Sequence, residues 1–502
     1  MNTLLQKEFG FHELEIKQLN GYDNENFLIT TDSGKFVFKT YSETTGSIAL
    51  VEAENAALLF LHREENNLFP KPIPFSDGSL IKTLEVDGSK KICRALSFLE
   101  GQFSGEVSHT KTLFQSLGVM LAQMNLKLQA FDSEAIRTRE WEWGIQHLHL
   151  NKAYLTDIDD AGDRALVTYF FQQFEENVSP TLHLLRRATI HNDANEWNVL
   201  VNNGEVSGLI DFGDLAYSPL INELAVAISY ACFDKESPIE WASIILKSYH
   251  EVLALEENEI AVLYYLIAAR LCTSLCNAAH SKKINPDNKY AFGSEKQAWN
   301  LLHRWISINP IAAENSFRSA IGLSALSVKS TNEMVEERLE VLSPALTLTY
   351  SKPIVLSRSA FQYMYDVYGN TYLDAYNNIP HVGHSHPLVV EAGQRQMAKL
   401  NTNTRYLNDL LPEYANKLLS KFPDTLNRVF LVNSGSEASD LAIRIARTHS
   451  GHNNIMVMEH GYHGQTQTDI DISDYKFSSK VGQGQKDYII KAVIPDTYRG
   501  KY

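Results

Sequence analysis

The chain has 502 residues, enough for two or more domains, and its 44% apolar and 21% charged residues are ordinary for a globular protein. A formal net charge of −15 argues against a nucleic-acid partner held through its phosphates. The N-terminal stretch has no apolar core of a signal peptide, and no apolar run reaches the ~20 residues of a membrane span, so no membrane partner and a cytoplasmic location are expected.

Residues 1–100 read as a small β-rich lobe. Asn26 to Thr31 is a predicted strand, residues 32–34 a turn, and Lys35 to Tyr41 the returning strand. Lys39 stands on that strand among Phe36, Phe38 and Tyr41. A buried ammonium without a partner is costly, so Lys39 needs a carboxylate. Val51 to His62 has helical apolar spacing, and Glu54 within it is the expected partner. Pro70, Pro72 and Pro74 then break the pattern. Leu80 to Val86 and Lys91 to Leu99, joined by Asp87 and Gly88, read as a hairpin. The chain leaves it through Ser97 and Leu99 toward the helix near Lys111.

Residues 109–187 are predicted helical. Glu140 to Trp143 (EWEW) fits either a cover over a cationic ligand or plain packing. Next comes HNDANEWNVLVNNGEVSGLID, residues 191–211, followed by Phe212, Gly213 and Asp214. Its second apolar run begins at Asn198, turns at Asn202 to Gly204 and returns to Asp211. That hairpin brings Asn198 and Asp211 to neighbouring strand ends. Phosphoryl transfer is mostly positioning and charge neutralisation. Asp193 would orient an acceptor hydroxyl and take its proton, His191 would brace the loop, and Asn198 and Asp211 would hold Mg²⁺ through hard oxygen ligands. Further helices are expected over residues 237–307. There Cys272 and Cys276, in an apolar helical run, read as buried thiols rather than metal ligands.

The order Lys39, Glu54, His191, Asp193, Asn198, Asp211 resembles the aminoglycoside phosphotransferase and choline kinase superfamily over residues 1–310. The short loop Gly21 to Asn26 (GYDNEN) replaces the GxGxxG of protein kinases. Residues 22–27 (YDNENF), 94–101 (RALSFLEG) and 210–214 (IDFGD) resemble hydroxylysine kinases most. The resemblance implies an α+β two-lobed protein-kinase-like fold, its lobes at about 1–100 and 101–310. It also implies Mg²⁺ with ATP or GTP, nucleotide contacts at Lys39, Glu54, Ser97 and Leu99, and a small amino alcohol as acceptor.

Residues 311–345 read as a connector in which VEERLEVL forms one amphipathic helix. From about 346 the chain changes character. Gly369 and Asn370 mark a hairpin, and His381, His384 and His386 fall in a Gly/Pro turn rather than a metal site. Arg428 to Val432 reads as a buried strand running into NSGSEA and a helix, Asp440 to Arg447. Such a Ser/Gly turn at a helix N-terminus suits a phosphate. YDVYGNTYLDAYNNIPHVGHSHP, NSGSEASDLAIRIAR and GYHG resemble class III, fold type I pyridoxal-phosphate aminotransferases. Residues 401–407, 471–477 and 495–500 resemble the phospho-lyases within that class. The resemblance implies a partial α/β domain over 346–502. In it Gly435 and Ser436 would bind the cofactor phosphate, Tyr462 would stack on its ring, and His463 would lie beside it. The family's cofactor-bonding lysine and ring-nitrogen aspartate are expected beyond the matched stretch, so this part is expected to be incomplete for pyridoxal phosphate chemistry. Two other readings follow: a class III transaminase or phospho-lyase once completed by further sequence, or a homodimerisation module without chemistry of its own.

Overall fold

The computed structural model describes residues 1–10, 14–19, 24–32, 34–44, 46–63, 67–287, 292–378 and 380–500. Of the GYDNEN loop, residues 21–23 lie outside these, as does Ser33 in the first turn. Two compact units are present, Met1–Ala398 and Lys399–Tyr502.

The first unit opens with α1 (Asn2–Phe9), β1 (Glu15–Leu19), β2 (Glu25–Thr31) and β3 (Gly34–Ser42), then α2 (Ser47–Leu61), β4 (Pro72–Ile73), β5 (Lys82–Val86) and β6 (Ser89–Ser97). The strands form one antiparallel sheet in the order β1-β2-β3-β6-β4, with β5 also on β6. Leu5, Ile29, Phe38, Phe75, Cys93 and Ala95 pack one side of it. Lys39 lies opposite Arg94 on β6 in that register, a pairing that shapes the site.

The chain crosses by β7 (Gln102–Phe103) into a helical lobe: α3 (Lys111–Leu128), α4 (Glu134–Arg137) and α5 (Ala161–Asn177), then β8 (Arg187–Ile190), β9 (Val199–Asn202), β10 (Glu205–Leu209) and β11 (Ala216–Pro219). The strands pair as β10-β9-β7 and β11-β8. Helices α6 (Ile221–Ala231), α7 (Pro238–His250), α8 (Glu257–Ile284), α9 (Glu295–Trp305) and α10 (Pro310–Ala320) complete the lobe. Among the described residues α8 alone is long and apolar enough to cross a membrane, and 89% of its most apolar window is buried inside the protein. It is the central core helix, apolar all round because it is packed all round. Cys272 and Cys276 are buried on it, as expected.

The packing departs from the expected connector. Pro310 starts α10 behind an Asn309 cap, and α10 buries Ala313 and Phe317 in the lobe core, so this stretch belongs to the lobe. The expected amphipathic helix is α11 (Thr331–Val341), exposed and held by a Ser330/Glu333 capping box. Beyond it β12 (Leu356–Ala360), β13 (Tyr363–Asp366) and β14 (Thr371–Leu373) form a sheet turned at Gly369 and Asn370, followed by α12 (Pro387–Lys399). This sheet packs on the helical lobe. Tyr365 is 1% exposed and its hydroxyl donates to the Ile306 carbonyl. Asn309 Nδ2 donates to the Asp366 and Asn370 carbonyls, each at 2.9 Å. The packing boundary therefore falls about fifty residues after the change in sequence character. Tyr365→Ala in the full chain is expected to destabilise the first unit by about 3–5 kcal/mol, the cost of removing a buried aromatic ring. Calorimetry would show an unchanged first-unit transition if this sheet were only tethered.

The second unit contains α13 (Leu410–Leu419), α14 (Gly435–Ser450), β15 (Ile455–Met458), α15 (Gln467–Ile472), α16 (Asp474–Phe477) and β16 (Ile489–Ala492), with β15 and β16 parallel. Val457, Ile472, Phe477 and Ile489 form its small core. The expected buried strand at Arg428 to Val432 is not formed: the segment is irregular, and Phe430 and Leu431 are exposed. A parallel strand needs neighbours on its edges, and among the described residues only β15 and β16 pair in this unit.

Candidate active site

The loop from Ile190 to Asn198 connects β8 to β9, and the β9–β10 hairpin has the expected turn, with Asn202 opposite Glu205. A bulge between Val206 and Gly208 lets Ile210 N–H donate to the Asn198 carbonyl at 2.9 Å. This holds Asn198 beside Asp211. The backbone is left-handed at Asn192 (φ 66°) and Asp211 (φ 62°), a conformation costing non-glycine residues of order 1 kcal/mol and concentrated at functional sites.

His191 is fully buried. Its Nδ1 accepts from Asp193 N–H at 3.2 Å, so its Nε2 carries the hydrogen and donates to the Ile210 carbonyl at 3.1 Å. Burial lowers its pKa to about 4, so the ring is a neutral brace rather than an acid. Glu223 on α6 supports the same loop by accepting from His191 N–H at 2.7 Å. Burial pushes that carboxyl up to about 7. Among the described residues, Asp193 Oδ2 accepts from Asn198 Nδ2 at 2.7 Å and Asn195 Nδ2 at 2.9 Å, and Oδ1 accepts from Arg270 at 2.8 Å. Burial and the Asp214 carboxylate raise the Asp193 pKa well above the usual range, against the pull of Arg270.

Lys39 is brought to this site, but not to Glu54. Its ammonium donates to Asp211 Oδ1 at 2.7 Å. Burial is the largest influence and lowers its pKa, but Asp211, with Tyr41 and Glu54 behind it, raises it above the ordinary lysine value. Glu54 is ion-paired with Arg94 instead, whose other arms donate to Asn55 Oδ1 at 3.0 Å and Tyr41 Oη at 2.8 Å. The expected Lys39–Glu54 pair is thus corrected to two pairs, Lys39–Asp211 and Arg94–Glu54. The reason is register: Arg94 lies cross-strand from Lys39 and takes the α2 carboxylate first. In the sequence Arg94 appears only as the first residue of the RALSFLEG stretch, with no ion pair read for it. Arg94→Met should cost about 3–5 kcal/mol, because it leaves Glu54 buried and unpaired. Adding Glu54→Met should recover most of that in urea titrations; a double variant as unstable as the single one would contradict it.

Of the two residues expected at the nucleotide hinge, Ser97 is tied into the sheet, its N–H donating to the Lys71 carbonyl at 2.8 Å. Leu99 follows the strand end, and its side chain closes on Gly208, where an added Cβ would lie 3.0 Å from Leu99 Cδ1. The EWEW segment covers protein cations: the Arg139 guanidinium lies 4.0 Å from the Trp141 ring centroid, and that of Arg270 5.1 Å from Trp143. Arg270 was missed by sequence reasoning.

The Asn198 and Asp211 donors fit a magnesium ion. Both Asn198 amide hydrogens are directed to Asp193, one to its carbonyl and one to its carboxylate, which turns the amide oxygen away from that residue. Two hard oxygens with nucleotide phosphates and water would complete its coordination.

In the second unit Ser434 caps α14 by accepting from Glu437 N–H at 3.1 Å, and Gly435 opens the helix with open space around it. Ser436 Oγ accepts from Gln465 N–H at 3.0 Å, and Gln465 Nε2 donates to the Tyr462 hydroxyl at 3.0 Å. Gly464 has φ 143°, and a Cβ there would lie 2.6 Å from Ser436 Oγ, so only glycine admits this approach. His463 N–H donates to Ser473 Oγ at 2.9 Å. Gly435 and Ser436 thus open one helix N-terminus, with Tyr462 reached through Gln465, and this N-terminus fits a phosphate; His463 is tied to Ser473 instead.

Comparison with known proteins defines the class. Residues 15–259 match the phosphotransferase enzyme family, and residues 348–502 match the class-III aminotransferases. The chain thus carries one region similar to small-molecule phosphotransferases and a second similar to class III aminotransferases. Hydroxylysine kinase of Mus musculus is 26% identical over 345 residues, covering 62% of this chain and 90% of that protein. The alanine–glyoxylate aminotransferase 2-like protein of Drosophila melanogaster is 43% identical over 183 residues, 36% of this chain. Ethanolamine-phosphate phospho-lyase homolog 1 of Caenorhabditis elegans is 40% identical over 176 residues, 35% of this chain. The chain spans 37% and 38% of the length of these last two relatives.

Proposed function

We propose that the first unit transfers the γ-phosphoryl group of ATP or GTP, as the Mg²⁺ complex, to the hydroxyl of a small amino alcohol of the hydroxylysine or ethanolamine kind, in the cytoplasm. The observation that carries this is the gathering of Asp193, Asn198, Asp211 and Lys39 about one hairpin end. The acceptor oxygen attacks the γ-phosphorus, its proton passes to Asp193, and the bond to the β-phosphate oxygen breaks to release nucleoside diphosphate. Asn198 and Asp211 would hold Mg²⁺, which neutralises the phosphates, and Lys39 would exchange Asp211 for a phosphate oxygen. Leu99 and Ser97 border the base, and Glu54 acts through Arg94. The similarity to hydroxylysine kinase on one side and to an ethanolamine-phosphate phospho-lyase homolog on the other supports the amino alcohol. A panel of amino alcohols, sugars and aminoglycosides, scored by nucleotide consumption, tests it; turnover with sugars or aminoglycosides alone would refute it.

Gly435, Ser436, Tyr462 and His463 would hold the phosphate and ring of pyridoxal phosphate, whose chemistry is that of an electron sink. Tyr462 is 52% exposed, so this cradle is open on one face. The second unit is proposed to hold the cofactor loosely and to serve as a pairing module. After incubation with the cofactor and gel filtration, borohydride reduction is expected to fix none of it at one particular lysine. A labelled Lys476, whose ammonium lies 5.6 Å from the Tyr462 centroid, would contradict this.

A further inference from the structure

An arginine in the middle of the most buried helix calls for an explanation. Arg270 is 1% exposed on α8, flanked by Ala268, Ala269, Leu271 and Cys272, all buried. A charge there persists only with several partners. Its Nη2 donates to Asp193 Oδ1 at 2.8 Å and to the Tyr230 hydroxyl at 3.1 Å. Its Nη1 donates to the Trp143 carbonyl at 3.1 Å. The guanidinium also faces the Trp143 and Tyr230 rings, at 5.1 and 5.4 Å. A loop, α6 and α8 thus converge to fix one planar cation against one oxygen of Asp193, while Asn195 and Asn198 grip the other.

We propose that Arg270 is a positioning residue for phosphoryl transfer, clamping Asp193 Oδ1 so that the carboxylate is held in one rotamer against the acceptor hydroxyl. This rests on Asp193 being the base in the function proposed above. One N–H of the guanidinium reaches Oδ1 while the other arm is tied to the Trp143 carbonyl, so the cation is fixed in place as an ammonium on a flexible stem would not be. The aromatic faces of Trp143 and Tyr230 keep the fork from swinging out. Asp214 and Asp211 both repel the Asp193 charge, and the guanidinium opposes them.

A double-mutant cycle tests the clamp. Arg270→Gln should lower kcat about 100-fold, a typical share of general-base catalysis. Nucleotide affinity should stay within about twofold, since phosphate and metal contacts lie on other residues. In an Asp193→Asn background the same substitution should cost nothing further, because the group it acts through is already lost. Methylguanidinium should restore turnover of Arg270→Ala in a saturable way, a response that a merely structural role would not give. If Arg270→Gln fails to fold, Arg270→Lys enters the same cycle. Additive losses, absent rescue, or wild-type kcat in Arg270→Gln would each overturn the clamp. An Asp193→Asn enzyme that keeps its turnover would instead overturn the parent reading, so the two failures are distinguishable.

Discussion

Asp193→Asn is expected to keep Mg-nucleotide binding and to lose about two to four orders of magnitude in turnover. The range is that of a general base removed together with its positioning. Asparagine preserves the size of the group and could still meet Asn195 and Asn198 through its oxygen. It cannot take the acceptor proton, and it leaves Arg270 facing a neutral amide in a buried site. Folding should change less than catalysis, because burial and Asp214 already disfavour the Asp193 charge. Single-turnover kinetics would separate the chemical step from binding, and near-native turnover in this variant would remove Asp193 from the role.

Asp211→Ala should lower Mg²⁺-dependent nucleotide affinity by at least about 10–100-fold, since it would remove a proposed metal ligand, where even indirect partners of metals cost that much. It also strands Lys39, which is 7% exposed at its side chain and has Asp211 at 2.7 Å. The Lys39 ammonium, which burial lowers and that carboxylate raises most among its neighbours, should then fall in pKa. Lys39→Ala should weaken nucleotide binding without abolishing it, because Asn198 and Asp211 would still hold the metal. Unchanged calorimetric affinity in both variants would place the nucleotide elsewhere.

The hairpin of the candidate site was legible because its signals are local. Turn residues, alternating apolar runs and three polar side chains at fixed offsets all lie within residues 191–211, and the structure bends them as the spacing implies. What was not legible depends on contacts between distant segments. The Lys39–Glu54 pair failed because cross-strand register, not sequence distance, puts Arg94 between them. Arg270 is 77 residues from Asp193 and looks, in sequence, like an interruption of an apolar helix. The reach of the helical lobe into α10 and β13 was hidden for the same reason: Tyr365 reads as one more aromatic in a hairpin until Ile306 is seen beneath it. The failed strand at Arg428 to Val432 shows the converse. Its apolar pattern is right for a parallel strand, but a strand exists only with paired neighbours.

Phosphorus NMR of the protein with Mg-ATP and a hydroxylysine-type amino alcohol tests the central claim most directly. The account predicts a phosphomonoester resonance growing in equal amount with ADP, dependent on Mg²⁺ and absent with Asp193→Asn. No ester with any amino alcohol, or ester formed equally by Asp193→Asn, would contradict it.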